Sequence, residues 1–235
     1  MHFHLPKPMH GWREFVGEVG IIVVGVLIAL GAEQVIEDWR WEHKVAAAEQ
    51  SMNEEIRNSL LGVAELNRLE HCSSTQLDAL QRAIIRGDQS KARQMLTHGY
   101  AFPLGRLWAD NAFQATLAAQ VSDHLGAEEL KRYSQVYQMI RQIRQAEDQQ
   151  AAAPDLAVLL FVPDLPATPE RRYAQLRDVA ESRLQMMSMR ATGEPLVRYA
   201  KKDLGLQVTE RDYLAAPGRA QIIKECEAGA AAAKS

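Results

Sequence analysis

The sequence predicts an all-α protein in which one N-terminal transmembrane helix continues into an amphipathic helix and is followed by a multi-helix bundle. Three observations carry that expectation. Val19–Ala32 is an unbroken apolar run of 14 residues close to the N-terminus. Beyond it, segment after segment places apolar residues at the 3.6-residue helical period. Glycine (14) and proline (9) are few and mostly lie between those segments, where they punctuate helices. The chain has 235 residues, so an anchor of about 40 leaves one domain of ordinary size.

A 14-residue apolar run alone also fits a signal-peptide core or a buried helix. Extending it over Phe15–Ile36 admits only Glu18, Glu33 and Gln34 as polar residues, and these 22 residues at about 1.5 Å each cover roughly 33 Å, close to the hydrocarbon thickness. Trp12 on one side and Trp39 and Trp41 on the other then serve as interfacial aromatic anchors, Trp12 and Trp39 being about 40 Å apart along a helix. The competing reading is a cleaved signal peptide, since Lys7 and Arg13 form a basic n-region and Ala29-Leu30-Gly31 satisfies the small-x-small rule. A helical pattern that runs on past that point favours the span. Within it, Glu18, Gly25, Ala29 and Glu33 share one helix face. Such a small-residue stripe lets a second helix approach closely, and an acid in the span prefers a partner or water to lipid. The alternative is that glycine is common in transmembrane helices and both carboxylates reach the headgroups.

Val45, Ala48, Met52, Ile56, Leu60, Val63 and Leu66 mark one face, predicting that the membrane helix continues to about Glu70 and stands clear of the bilayer. Ser73-Ser74 then caps a second helix carrying Leu77, Leu80 and Ile84, which Gly87 ends; Asp88 caps a third with Ala92, Met95 and Leu96. After a loop through Gly99, Pro103 and Gly105, a helix is expected over Trp108–Val121. Leu130, Tyr133, Val136, Tyr137, Ile140 and Ile143 mark the next. Leu156–Val162, an apolar run bounded by Pro154 and Pro163, is too short to span a bilayer and is expected to be buried, with membrane or partner contact as the sharper alternative. Thr168-Pro169-Glu170 reads as N-cap, N1 proline and first-turn acid of a long helix with Tyr173, Leu176, Ala180, Leu184 and Met187 on one face, ended by Gly193. Short helices over Leu196–Leu204 and from Thr209, where Thr209 and Asp212 resemble a capping box, complete the chain. The predicted organisation is a basic, His-containing tail over 1–14, the span over 15–36, a helical domain over 37–227 and a frayed Ala-rich tail over 228–235.

The stretch Gly17-Glu18-Val19-Gly20-Ile21-Ile22-Val23-Val24-Gly25-Val26-Leu27-Ile28-Ala29-Leu30, an acidic Trp-containing helix after it, and Met52-Asn53-Glu54-Glu55-Ile56-Arg57-Asn58 resemble an uncharacterised proteobacterial family of single-pass membrane proteins of the domain-of-unknown-function type. The opening Leu5-Pro6-Lys7-Pro8-Met9-His10-Gly11-Trp12-Arg13-Glu14-Phe15 looks like a sphingomonad-type subgroup. The resemblance covers about the first 60 residues closely and the rest loosely. It implies one N-terminal transmembrane helix and a helical domain, with no activity to carry over.

In an oxidising periplasm the isolated pair Cys72 and Cys226 forms a disulfide; in the cytoplasm both are thiols. Flanking charges do not decide the side, since Lys7 and Arg13 precede the span and Arg40 and Lys44 follow it. A short basic tail leading directly into an apolar segment has the form of a signal anchor, and the resembling proteins carry a similarly placed cysteine pair. The expectation is therefore a bacterial inner-membrane protein with a cytoplasmic N-tail and a periplasmic domain.

The formal charge of -3 and a pI near 6.2 give no basic excess for phosphate backbones, so nucleic acid is not an expected partner. There is no Gly-rich phosphate loop, Gly-x-Ser-x-Gly elbow, His-Glu-x-x-His or Cys-x-x-Cys, and no catalytic residue is assigned. His2, His4 and His10 sit in a tail without groups to orient a ligand set, and His71, His98 and His124 read as helix-end histidines, so no metal site or cofactor is assigned. Glu54-Glu55 and Glu128-Glu129 are sequence neighbours whose side chains diverge on a helix and read as solvated charges. Met186, Met187 and Met189 read as core filler before groove lining.

Two functions fit. One is a non-enzymatic membrane-anchored module, an accessory or scaffolding subunit whose partners are the lipid bilayer and, through Glu18, Gly25, Ala29 and Glu33, a second copy or another membrane protein. The other is a periplasmic ligand-binding or sensory bundle with Trp108, Phe113, Tyr133 and Tyr137 lining a pocket. A filled core with an exposed apolar patch distinguishes the first, a polar-dotted apolar cavity the second.

Overall fold

The computed structural model describes residues 11–98, 108–162, 166–215 and 218–233. The His-containing tail, the loop through Gly99, Pro103 and Gly105, and Pro163 lie outside them. Among the described residues the protein is all-α: α1 (Trp12–Arg86), α2 (Gln89–His98), α3 (Asn111–Ala118), α4 (Ala127–Ala151), α5 (Pro154–Phe161), α6 (Pro169–Asp203), α7 (Glu210–Ala215) and α8 (Arg219–Ala232). The chain forms two compact units, residues 1–47 and 48–235, with α1 contributing to both.

In the second unit the predicted face of α1 is the core. Met52, Ile56, Leu60, Val63 and Leu66 are buried, as are Tyr133, Val136, Tyr137, Ile140 and Ile143 of α4. A satellite core of Leu77, Leu80 and Ile84 from α1, Ala92 from α2, Leu156 and Leu159 from α5 and Val179 from α6 closes the end of α1. The apolar run of α5 is thus only half inside: Phe161 is 82% exposed and Val162 is also exposed.

Several local signals place helix ends correctly. Gly87 stops α1 with φ +75, a left-handed conformation that costs glycine little, and the Asp88 carboxylate accepts from Lys91 N–H at 2.9 Å to cap α2. Thr168 Oγ1 accepts from Arg171 N–H at 3.4 Å at the start of α6. Thr209 and Asp212 cap reciprocally: the Asp212 carboxylate accepts from Thr209 N–H at 2.8 Å, and Thr209 Oγ1 accepts from Asp212 N–H at 3.2 Å.

Four boundaries differ from the sequence reading. α1 does not break at Ser73-Ser74. Ser73 is buried with its hydroxyl 3.9 Å from Cys226 Sγ, and helix continues through it because Leu69, Leu77 and Leu80 bury the same face without interruption. The helix expected over Trp108–Val121 begins at Asn111, and Val121–His124 is a separate 3₁₀ turn introduced by Gln120 at φ 57. Gly193 does not end α6. A Cβ there would lie 2.9 Å from Val63 Cγ1, so the glycine is where α6 crosses α1 closely, and the helix runs on through Pro195 with Leu196 and Ala200 buried. Finally, residues 228–232, expected to fray, belong to α8, whose Ala230 is buried beside Leu69 and the disulfide.

The first half of α6 also buries a different side from the one its apolar periodicity predicts. Tyr173, Leu184 and Met187 are 74%, 61% and 68% exposed, Ala180 is exposed, and only Leu176 of the predicted stripe packs inward. The inward residues are Gln175, Asp178, Val179 and Ser182, about half a turn away at roughly 100° per residue. Asp178 helps fix this rotation: its Oδ2 accepts the first N–H groups of α5, from Asp155 at 2.7 Å and Leu156 at 3.0 Å. Burial raises the Asp178 carboxyl above its ordinary value against the pull of those two bonds.

Candidate functional site

Three features of the molecule are candidates for function: the exposed apolar helix of the first unit, the disulfide-tied end of the domain, and the polar junction under α3.

In the first unit every large apolar side chain from Val19 to Leu30 is solvent-exposed. An 18-residue window there has mean hydropathy 2.4 and none of it is buried, making α1 one helix long and apolar enough to cross a membrane. Glu18, Gly25, Ala29 and Glu33 fall on one face, all exposed, and a Cβ on Gly25 would meet nothing within 4 Å. Trp12 and Trp39 are exposed and Trp41 is half-buried under the Lys44 ammonium, 4.0 Å from its ring.

Cys72 of α1 and Cys226 of α8 form a disulfide, with Cα atoms 5.7 Å apart and a sequence separation of 154. Around it pack Leu69, Ala230, Ile222 and Ile223, and Gln76 Nε2 donates to the Cys226 carbonyl at 2.9 Å. A persistent disulfide is the chemistry of an oxidising compartment. At the start of α8 the Arg219 guanidinium pairs with the buried Glu65 carboxylate and donates to the Leu61 carbonyl at 3.4 Å, a second tie to α1.

Glu55, expected to be a solvated charge, is instead a tertiary helix cap. Its carboxylate accepts from Asn111 N–H at 3.0 Å, Ala112 N–H at 3.1 Å and the Tyr137 hydroxyl at 2.9 Å, so a side chain of α1 supplies the negative group that the N-terminus of α3 favours. Burial, with the Glu55 bond and charge behind it, drives the Tyr137 phenol far above its ordinary value. Glu54 stays on the surface, accepting from Gln50 at 3.0 Å. Glu128 is exposed and 3.7 Å from Lys131, whereas Glu129 faces Glu49 of α1. Burial and that neighbour raise Glu49, and burial with both acids pushes the Tyr133 phenol up to about 12.

The aromatics expected to line a pocket fill the core. Phe113 stacks on Tyr137 with ring centroids 4.8 Å apart, Tyr133 donates to Asn53 Oδ1 at 3.0 Å, and Trp108 is buried. Beside them Asp110 accepts from Arg144 at 2.9 Å and lies 3.6 Å from Arg141. Burial opposes ionisation of Asp110, but Arg144, Gln114 and Arg141 together hold its carboxyl below the ordinary 3.8. A depressed carboxyl stabilises the fold above its unfolded value and loses that contribution as pH falls through the folded one. Acid unfolding of the wild type should therefore steepen below about pH 4, and Asp110→Asn should flatten that limb in circular dichroism titrations; an unchanged profile would remove Asp110 from the acid response.

Of the histidines, His71 is exposed on α1, and His124, which ends the 3₁₀ turn, is also exposed. Among the described residues no three His, Cys, Asp or Glu side chains are placed to hold one metal ion. Glu55, Glu65, Asp110 and Asp178 escaped sequence reading because each acts across a tertiary contact. Only Asp110, one residue before α3, carries a local helix-start signal. Comparison with family models, curated proteins and solved structures finds no match to this chain.

Proposed function

We infer that the chain is a non-enzymatic membrane-anchored helical module, an accessory or scaffolding subunit of a bacterial inner membrane, with its N-tail cytoplasmic and its disulfide-tied domain periplasmic. The observation that carries this reading is the exposed run Val19–Leu30. Nine large apolar side chains lie there in the open, and at roughly 1.5 kcal/mol or more each their exposure to water would cost on the order of 10 kcal/mol, comparable to the whole stability of a domain. Lipid removes that cost. The stripe Glu18, Gly25, Ala29 and Glu33 and the outward face of α6 at Tyr173, Leu184 and Met187 add surfaces for a second copy or another membrane protein. The disulfide supports the periplasmic side, and so does the signal-anchor form of a short basic tail leading directly into an apolar segment.

The first test is on the anchor stripe. Gly25→Leu with Ala29→Leu should leave membrane insertion intact, because nothing within 4 Å opposes a side chain at Gly25, and should abolish crosslinked complexes or co-purification. Complexes that survive the double change would make the stripe lipid-facing only. Sidedness follows from labelling Cys72 and Cys226 in intact cells and in denatured membranes, with and without reductant. Thiols that appear only after reduction support the periplasmic domain. Free thiols protected from an impermeant reagent would overturn it.

A further inference from the structure

Two acids face each other where the seam between α1 and α4 begins. Tyr133 of α4 donates to Asn53 Oδ1 of α1 at 3.0 Å, and one turn later Tyr137 donates to Glu55 at 2.9 Å. Further on, Trp108 links the same two helices. Arg144 of α4 donates to its carbonyl at 3.4 Å, and a Cβ on Gly62 of α1 would lie 2.8 Å from its ring. Positions rise together along both helices, so α1 and α4 run parallel. Four residues before Asn53 stands Glu49, and four before Tyr133 stands Glu129. Residues four apart share a helix face, so the ladder starts on a pair of carboxyl groups. Both acids are half-buried, and they lie within hydrogen-bond reach of each other.

Two ionised carboxylates offer only acceptors, so a bond between them needs a proton held by one of the two. Like charges at this range also oppose ionisation of both. Burial, then the Glu129 charge and the bond to Glu129, raise Glu49 above its ordinary 4.5. Among the described residues no cation is among the groups acting on Glu49. The Tyr133 phenol beside both acids stays neutral, pushed up to about 12 by burial and by their charges, and its hydroxyl is directed to Asn53. Lys131 of α4 lies 3.7 Å from Glu128 on the exposed side, and Arg132 is exposed. The pair is therefore left to share a proton or to repel.

We propose that Glu49 and Glu129 form a proton-operated clasp on the α1–α4 seam. With one proton between them, the carboxyl of one donates to the carboxylate of the other and closes the first turn of the seam; when that proton leaves to water, two negative charges oppose each other and this end loosens. The sign follows from linkage. Folding raises the Glu49 carboxyl, so between its ordinary value and the raised one the folded chain holds more proton than the unfolded chain, and stability falls as pH rises through that window. This is opposite in direction to Asp110, whose contribution is lost as pH falls below 3.8, so the two do not overlap. Glu49 is the second residue of the second unit, which begins at Ala48. The clasp lies wholly within that unit, so it stands or falls independently of the anchoring and partner reading.

The test uses the full chain in detergent, in chelator-containing buffers from about pH 4 to about pH 8. Glu49→Gln and Glu129→Gln each remove the repulsion without burying a new charge and are expected to fold. Each should melt with the wild type at the acid end and above it by about 2–4 °C at the alkaline end. Glu128→Gln, one residue away on the exposed side, should follow the wild-type profile. Spin labels at the exposed Gln50 and Ser134, with the buried Cys72–Cys226 bridge kept oxidised, read the seam directly. Their separation should lengthen and broaden from the acid to the alkaline end in the wild type and stay fixed in either glutamine variant. A melting difference that does not change with pH, a wild-type separation that does not change, or one that changes equally in the variants would each overturn the clasp.

Discussion

Replacing Cys72 and Cys226 together with serine, or reducing the wild type, is expected to destabilise the second unit by about 5 kcal/mol. The estimate follows from closing a loop of 154 residues, for which the chain-entropy model gives an unfolded-state restriction of that order. For a domain of this size it corresponds to a fall in melting temperature of about 10–20 °C, readable by circular dichroism of the full chain in detergent with and without reductant. The loss should not be uniform along the chain. α8 buries little besides Cys226 and Ala230, so its attachment to α1 without the bridge rests on Ile222, Ile223, the Gln76 bond and the Glu65–Arg219 pair. Amide exchange should therefore rise first in α8, while α4 and α6, whose core side chains do not touch the bridge, exchange late. A reduced protein that melts within 2 °C of the oxidised one would mean that these contacts alone hold the C-terminal helix.

What could be read from sequence and what could not divide along a physical line. Features set by residues within one helical turn of each other were legible: the apolar run of α1, the Gly87–Asp88 stop and restart, the Thr168-Pro169 start, the Thr209–Asp212 box and the stripe of α4. The cysteine pairing was legible too, once the compartment was assumed, because only two cysteines exist. Features set across helices were not. Ser73-Ser74 has the composition of a cap, yet the core on both sides of it keeps α1 helical, and Ser73 faces the disulfide. Gly193 and Pro195 have the composition of a helix end. Close crossing against Val63 and the burial of Leu196 and Ala200 outweigh their poor propensity. The rotation of α6 is the sharpest case. Hydrophobic periodicity marked the face of Tyr173, Leu184 and Met187, while the packed face carries Asp178 as the cap of a neighbouring helix and an unpaired Ser182. That inversion leaves an apolar stripe outside and polar groups inside, a departure from local rules of the kind expected where a surface or cavity serves something other than folding.

The same reasoning gives Glu55→Ala the second large effect, about 3–5 kcal/mol. The substitution leaves the Asn111 and Ala112 N–H groups without their carboxylate acceptor and strips the Tyr137 hydroxyl, on a fully buried ring, of its 2.9 Å bond. Each such loss is of order 1–3 kcal/mol, tempered by the 3.3 Å bond from Tyr137 to the Met52 carbonyl, which survives. Glu55→Gln keeps one acceptor oxygen for the N–H groups but brings an NH₂ toward donors, so an intermediate loss is expected. Tyr137→Phe removes only the hydroxyl and leaves the carboxylate on α3, so it should cost about 1 kcal/mol. The double variant Glu55→Ala with Tyr137→Phe separates the two roles: if the carboxylate serves both the phenol and the helix end, the double loss is smaller than the sum of the singles by about 1 kcal/mol. Strict additivity would mean that the phenol is already satisfied by Met52. A Glu55→Ala loss below about 1 kcal/mol would mean that water caps α3 as well as the carboxylate does, and that α3 is held by Phe113 on Tyr137 of α4 and by the packing of Trp108 against Gly62 of α1.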